Sequence, residues 1–305
     1  MVFDTIIIGG GPSGLSAALY LLRAQKSVLV IEKEAFGGQL ATSPLVENYP
    51  GFKEITGLEL SSKMFDQVLN LGCQFDIDEV VSLTKSDTFK LKTKFKSYEA
   101  KSVIIANGLI HKSLGLEKEE ELIGHGISYC ALCDGAFYKD QDVIVIGDAN
   151  TALQNALLLA SSAKHVYIYT LFDRFLGDLA LVERVKTNDK ISYFHNFSLL
   201  KYLVTNDKIS GVVFENTKTK EIKEVPIEGV FIAIGQSPNN ELFNELVELD
   251  SKGFINTNTN LETKTPGLFA SGDTRNNDNK QVIVATSEGA IAAIGVLKFL
   301  EANNL

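Results

Sequence analysis

The chain is short of cysteine, proline and basic charge, and each shortage removes a class of protein. Three cysteines in 305 residues are too few for the disulfide framework of a small secreted scaffold. Six prolines beside 24 glycines, with 45% hydrophobic residues, exclude collagen-like and disordered chains. Lys and Arg number 29 against 38 Asp and Glu, a formal charge of −9. A general nucleic-acid binder draws affinity from clustered cations that neutralise phosphates, so that class is set aside. One local basic patch remains compatible with an acidic total. Apolar runs such as Val143–Ile146 are far short of a bilayer span, and the opening residues do not resemble a signal peptide. The expectation is a cytoplasmic enzyme of roughly two domains, with no membrane partner.

An internal repeat organises the rest. Residues 4–32 read DTIIIGGGPSGLSAALYLLRAQKSVLVIE and residues 142–170 read DVIVIGDANTALQNALLLASSAKHVYIYT. Each has an apolar run, a turn after glycine, a helix-like apolar pattern and a second apolar run, the sequence of a strand–helix–strand unit. Strands this apolar are buried on both faces, as in a parallel sheet covered by helices. The expected class is therefore α/β, with two nucleotide-binding-type (Rossmann-like) domains, the second inserted into the first. Turn-forming residues near Ser113–Leu116 and Ser237–Asn240 place the outer domain at 1–114 plus 240–305 and the inserted one at 115–239.

Gly9-x-Gly11-x-x-Gly14 follows the first strand and opens a helix, with Glu32 ending the second strand. Gly9 allows the tight turn, Gly11 lets the backbone approach a pyrophosphate, and Gly14 packs helix on strand. The pyrophosphate would sit on free N–H groups at the helix start, and Glu32 would accept from ribose hydroxyls. A second chemical centre is Tyr129-Cys130-Ala131-Leu132-Cys133-Asp134-Gly135. Two thiols separated by two residues at a helix start close a small disulfide ring that exchanges with a partner. Asp134 follows at once and is placed to pass a proton to the leaving thiolate. Zinc is the competing use of such a pair, but Cys73 and the four histidines show no paired spacing, so no metal is expected. Cys73 reads as a small core residue.

Taken together, Gly9–Gly14 (GGGPSG), Gly37–Leu40 (GGQL), Glu47–Phe52 (ENYPGF), Tyr129–Gly135 (YCALCDG) and Ser271–Asp273 (SGD) resemble the low-molecular-weight thioredoxin reductases, in order and along the whole chain. The resemblance implies a split FAD/NAD(P)-type Rossmann domain that binds FAD, an inserted domain carrying the dithiol, and a homodimer. The positions matching cofactor contacts are Gly9, Gly11, Pro12, Ser13, Gly14, Glu32 and Lys33. They continue with Gly38, Gln39, Leu40, Asn48 and Gly108, and end with Gly272, Asp273, Lys280, Gln281 and Val282. Among them, Gln39 and Asn48 would face the flavin, Asp273 would hold the ribityl chain, and Gln281 with Val282 would lie by the isoalloxazine. Cys133 would lie against the flavin, Cys130 would attack the thioredoxin disulfide, and Asp134 matches the family's proton donor.

The second repeat departs from that family. Gly10, Gly11 and Gly14 correspond to Asp148, Ala149 and Ala152, and Glu32 to Thr170. A carboxylate in a phosphate loop is strongly unfavourable unless a cation intervenes. NADP-specific members carry a His-Arg-Arg cluster and a later Arg, where this chain has Thr170-Leu171-Phe172 and Leu176. Arg174 falls at a position that the family does not use, and the acidic pair on the next helix is replaced by Gln154 and Asn155. Arg184 and Lys186 remain as possible substitutes. A nicotinamide site that is no longer used narrows the resemblance to the ferredoxin-dependent flavin thioredoxin reductases, with ferredoxin or flavodoxin as donor and thioredoxin as acceptor. The alternatives are an NADPH-dependent reductase with an atypical phosphate site, a dithiol oxidase of the same fold passing electrons to oxygen, and a non-enzymatic flavin redox sensor. Strand alternation over Phe89–Lys96 would place Lys90, Lys92, Lys94 and Lys96 on one face. That face is a docking surface for an anionic donor or a solvated, edge-protecting strand.

Overall fold

The computed structural model describes residues 2–43 and 45–305. Two compact units divide it: residues up to Ile110 together with Ser237–Leu305, and His111–Gln236. The chain crosses at the two-residue strands Ile110–His111 and Gln236–Ser237, which pair with each other. The units divide three to four residues before the expected boundaries, at 110/111 against 114/115 and at 236/237 against 239/240.

In the first unit, β1 (Val2–Ile8), α1 (Pro12–Arg23) and β2 (Val28–Glu32) form the strand–helix–strand of the first repeat. Pro12 takes the first helical position, where its missing N–H costs nothing. The next helix, α2 (Gly57–Leu69), starts at Thr56, whose hydroxyl accepts the Glu59 N–H. Four strands follow: β3 (Gln74–Ile77), β4 (Val80–Lys85), β5 (Phe89–Thr93) and β6 (Ser97–Ile105). The sheet order is β3-β2-β1-β6-β5-β4. Strands β1, β2, β3 and β6 run parallel, and β4–β6 form an antiparallel meander.

The lysine face differs from expectation. Strand β5 ends at Thr93, whose hydroxyl accepts the Lys96 N–H, so residues 94–96 are a turn. Lys90 and Lys92 are exposed on β5, but Lys94 pairs with Glu79 at 2.6 Å and Lys96 with Asp76 at 2.8 Å. Phe95, which strict strand alternation would set on the face opposite the lysines, is 83% exposed. Nor is β5 an edge, because it lies between β4 and β6. Half of the proposed cationic face is thus neutralised within the chain.

In the second unit the order is β7 (Ile127–Ser128), α3 (Ala131–Asp134), β8 (Asp142–Ile146), α4 (Asn150–Ala160), β9 (His165–Tyr169), α5 (Leu179–Lys186) and β10 (Ile191–Phe194). Then come β11 (Phe197–Thr205), β12 (Lys208–Asn216), β13 (Ile222–Pro226) and β14 (Gly229–Ile232). A parallel sheet runs β10-β9-β8-β14-β7. Strands β11–β13 form a separate antiparallel sheet. Phe214 of that sheet stacks on Tyr169 of β9 with ring centroids 3.9 Å apart.

The chain returns to the first unit with β15 (Leu268–Ala270), which pairs with the second half of β6, and α6 (Val282–Ala302). By length and a mean hydropathy of 1.7, α6 would suffice to cross a membrane, although no unbroken apolar run in it is that long. In this fold its Ala292, Ala293, Val296 and Leu300 are buried in one core with Leu15, Ala17 and Leu21 of α1. A Cβ on Gly289 would come within 2.1 Å of the Ser13 carbonyl oxygen, so the two helix backbones meet there.

Candidate functional site

The glycine loop between β1 and α1 is shaped by three different constraints. Gly9 has φ +110° and a Cβ there would lie 2.3 Å from the Ala106 carbonyl oxygen, so only glycine fits. A Cβ on Gly14 would lie 2.0 Å from the Gly9 carbonyl oxygen. Gly11 is different: its φ is −77° and the nearest atom to an added Cβ is the Gly38 Cα at 3.9 Å. Space is open above it, and no side chain caps the start of α1, which leaves N–H groups free there. Glu32 closes the loop from the end of β2. Its Oε2 accepts the Gly10 N–H at 2.7 Å and its Oε1 the Glu34 N–H at 3.1 Å. Each oxygen keeps a further lone pair for a ligand.

Beside this loop is a cavity of about 360 Å³ whose lining includes Gly9, Glu32, Lys33, Asn107 and Gly108. That size is within the range of small-ligand pockets. Asn107 donates to the Asn239 carbonyl and the Asn240 Oδ1, while its own Oδ1 is buried without a partner among the described residues. Asp78, Val80, Leu242 and Phe243 complete one side. The sequence reading missed all of these except Gly9, Glu32, Lys33 and Gly108. Asn107 and Asn240 are 133 residues apart, and only the inserted topology brings them together.

A second cluster lies around the Ser271–Asp273 turn. Ser13 Oγ donates to Ser271 Oγ at 2.7 Å, joining this turn to the start of α1. Gly272 has φ +78°, and its N–H is held by the buried carboxylate of Glu288 at 2.8 Å. Glu288 also pairs with Arg275 at 2.8 Å and accepts from Asn277. Burial pushes the Asp273 carboxyl up, partly opposed by Lys280. Lys280 Nζ donates to the carbonyls of Asp273 and Arg275, and burial pulls its pKa down. Gln281 is the N-cap residue of α6 and its Oε1 accepts from Asn48 at 3.1 Å. Gln39 reaches the Leu109 carbonyl at 3.4 Å. Gly38 packs on Gly11. Leu40 and Val282 instead contribute packing, in a small apolar cluster with Val46, Ile55 and Leu60.

All seventeen expected cofactor positions therefore lie in the first unit. The open glycine, the uncapped helix start, the cavity and the unpartnered Asn107 Oδ1 fit an adenine dinucleotide.

In the second unit Cys130 and Cys133 are joined as a disulfide. Cys130 is half-buried and Cys133 exposed. The expected helix start is a single four-residue turn, α3, continued by a 3₁₀ turn at Gly135–Tyr138. Cys130 begins it: the Asp134 N–H donates to the Cys130 carbonyl at 3.1 Å. Phe137, in the 3₁₀ turn that follows, is 77% exposed. Cys73 is buried, and burial pushes its thiol up to about 12, which makes it a poor nucleophile.

The loop between β8 and α4 repeats the first only in part. Gly147 has φ +146° and an added Cβ would lie 2.2 Å from the Ala233 carbonyl oxygen, as Gly9 does against Ala106. Asp148 stands next, with its carboxyl pushed up by burial, and among the described residues no lysine or arginine pairs with it. Ala149 is the N-cap residue of α4. The Leu176 N–H donates to the Asp148 carbonyl at 2.7 Å, and Asn150 exchanges two hydrogen bonds with Asp178. Thr170 is fully buried, its hydroxyl engaged with the Phe172 carbonyl and His195. Leu171, Phe172 and Leu176 are half-exposed apolar side chains.

A profile of pyridine nucleotide-disulphide oxidoreductases matches residues 3–289. Thioredoxin reductase of Bacillus subtilis is 38% identical over 301 residues, covering 98% of this chain and 95% of that one. Thioredoxin reductase of Lactococcus lactis superposes with a TM-score of 0.94 at 35% identity, covering 98% and 99%. A ferredoxin-flavin thioredoxin reductase of Clostridium acetobutylicum also matches, at a TM-score of 0.54 and 27% identity, covering 98% of each chain. The chain belongs to the pyridine nucleotide-disulphide oxidoreductase family, among its thioredoxin reductases. Its fold is the family's mixed α/β arrangement of Rossmann-type domains, and its cofactor is FAD.

Proposed function

We propose that the protein reduces thioredoxin through FAD and the Cys130–Cys133 dithiol, with electrons supplied by a one-electron protein donor of the ferredoxin or flavodoxin kind. Bound FAD supplies two-electron reducing power to the disulfide. The chain's residues do the rest. Gly9–Gly14 and Glu32 hold the dinucleotide end, and Asp273, Asn48 and Gln281 hold the flavin end. Cys133 receives electrons from the flavin side and Cys130 attacks the disulfide of thioredoxin, forming a mixed disulfide that Cys133 resolves. Asp134, bonded through its backbone to Cys130, passes a proton to the departing thiolate.

The observation that carries the donor assignment is the contrast between the two loops. The first is open above Gly11. The second holds the half-buried Asp148 without a cation, and Thr170 is spent on internal bonds. A nicotinamide pyrophosphate would meet a carboxylate, and its ribose would meet no acid. This chemistry supports the donor, rather than the likeness to the ferredoxin enzyme, which is lower than that to the Bacillus reductase. A homodimer in the cytoplasm completes the reading.

Anaerobic titration of the FAD-loaded protein tests it. Reduced ferredoxin or flavodoxin is expected to bleach the flavin and added thioredoxin to restore the colour. Bleaching by stoichiometric NADPH would overturn the donor and leave an NADPH-dependent reductase. Oxygen consumption with a small dithiol and no thioredoxin would make the protein an oxidase.

A further inference from the structure

We propose that Glu119 is a positioning residue for the dithiol, holding the turn that carries Cys130 through the hydroxyl of Tyr129. The inference rests on the reading of Cys130–Cys133 as the exchanging pair. Glu119 is only 3% exposed, and a carboxyl so deeply buried must be satisfied by charge or by hydrogen bonds. Among the described residues no lysine or arginine pairs with it. Three donors satisfy it instead: the Leu114 N–H at 2.8 Å and the Tyr129 hydroxyl at 2.9 Å on Oε1, and the Leu116 N–H at 3.1 Å on Oε2.

These donors come from two places with different jobs. Leu114 and Leu116 belong to the stretch by which the chain enters this unit after His111. Tyr129 immediately precedes the nucleophile. Its ring also stacks on His111, with centroids 5.4 Å apart. The backbone of Cys130 is then clamped by Ser128, whose Oγ accepts the Cys130 N–H at 3.0 Å and donates to the Cys130 carbonyl at 3.2 Å. The direction of the Cys130 sulfur follows from this backbone. One buried carboxyl thereby fixes both the entering stretch at Leu114–Leu116 and the redox turn. Exchange between disulfides depends on how the attacking sulfur is aimed, and small misplacements of reacting groups are costly.

The surroundings show which substitution isolates the effect. The Tyr202 hydroxyl is buried without a partner among the described residues, and after burial itself, Glu119 and Tyr129 are what push its ionisation up. Tyr129→Phe leaves Glu119 its two backbone donors and a second hydroxyl within its field. The fold survives, and only the tie to Cys130 is cut.

The test compares wild-type, Tyr129→Phe and Glu119→Gln holoenzymes. The disulfide–dithiol equilibrium of Cys130–Cys133 is measured against dithiothreitol, with the alkylation rate of each cysteine in the reduced protein. Unfolding midpoints and thioredoxin turnover are recorded alongside. Tyr129→Phe is expected to shift the equilibrium or the Cys130 alkylation rate by about three- to tenfold, the worth of one buried hydrogen bond. Thioredoxin turnover falls with it, while flavin reduction by dithionite stays at the wild-type rate. Wild-type equilibrium and alkylation, with only a lowered unfolding midpoint, would overturn the positioning role. Should Glu119→Gln fail to fold, Tyr129→Phe carries the test alone. Cys130→Ser separates the two claims: surviving thioredoxin turnover in that variant sinks the dithiol reading itself.

Discussion

Alanine at Gly14 and at Gly11 should fail for different reasons, and the difference measures which glycine serves the fold and which the cofactor. At Gly14 the new Cβ stands 2.0 Å from the Gly9 carbonyl oxygen and 3.2 Å from Ile7 Cγ2, against 3.4 Å for ordinary contact. The tightest contact is to backbone, so no side chain can rotate away. Helix α1 would have to retreat by more than an ångström while Leu15, Ala17, Ala18 and Leu21 sit buried in the core. Overpacking of this severity belongs at the upper end of the usual range, about 3 kcal/mol. The helix preference for alanine over glycine returns about 1 kcal/mol. The net loss is about 2 kcal/mol, or roughly 4–8 °C in Tm for a unit of this size. Gly11→Ala meets nothing closer than 3.9 Å at an ordinary φ, so the FAD-free protein should melt within about 1 °C of wild type. Its methyl instead occupies the open space over the helix start, and FAD affinity should fall by roughly 5- to 150-fold, the equivalent of about 1–3 kcal/mol. The assay is thermal unfolding of FAD-free protein together with FAD binding followed by flavin fluorescence. Undiminished stability in Gly14→Ala, or a large loss in FAD-free Gly11→Ala, would refute this division of labour.

Three further outcomes follow from single groups. The Lys96 ammonium and then the Tyr98 hydroxyl hold the Asp76 carboxyl below its ordinary range, so its contribution is present above about pH 4 and fades as pH falls through the lowered value. Asp76→Asn should lower the urea midpoint at pH 7 and match wild type near pH 2; an equal loss at both would refute it. Asp148 has the opposite sign, because burial raises its carboxyl and the charged form destabilises the native state at neutral pH. Asp148→Asn should raise the midpoint at pH 7 and change nothing near pH 3. Tyr202→Phe deletes a buried hydroxyl without a partner; its Tm should equal or exceed wild type, and a loss above about 1 kcal/mol would contradict the structure.

How much of this was legible in the sequence depends on how far apart the interacting residues are. The strand–helix–strand repeats are local patterns, and both formed where the apolar periodicity put them. The end of β5 was not legible, because Lys-x-Lys alternation runs on past Thr93 while the backbone turns. What turns it is a set of hydrogen bonds: Thr93 with Lys96, and the Lys94 N–H to the Glu79 carbonyl. Helix α6 is apolar on more of its surface than α1 covers: Ala292, Ala293, Val296 and Leu300 are buried in one core with α1, whereas Ile283, Ile291 and Ile294 stay exposed. In the site, glycines and cysteines announce themselves because their chemistry is particular to the residue type. Asn107, Glu119 and Glu288 do not, since each is an ordinary polar residue given meaning by burial. Glu288 could have been suspected as a lone acid amid the small apolar residues of α6, which a core helix does not carry without a partner.

The two nucleotide loops, compared position by position, show what a Rossmann turn needs when nothing approaches it. Gly9 and Gly147 both have positive φ and both stand about 2.2–2.3 Å, at a virtual Cβ, from the carbonyl of Ala106 or Ala233. That glycine belongs to the strand–turn–helix itself and is present in each copy. At the fourth helix-facing position the copies differ: Gly14 is forced by contact with Gly9, whereas fully buried Ala152 is accommodated in α4. The remaining substitutions are Gly10 to Asp148 and Gly11 to Ala149: neither position has positive φ and Ala149 simply begins its helix, so the cost to the fold is the burial of the Asp148 carboxylate. What they remove is neutrality and clearance at a helix start, the two properties an incoming pyrophosphate requires. The second copy thus keeps the glycine its backbone demands and lacks the counterpart of Gly11, the one glycine that only a ligand would demand. On the reading proposed above, the second unit supports the dithiol while electrons enter elsewhere, and the altered loop is the physical ground for that proposal.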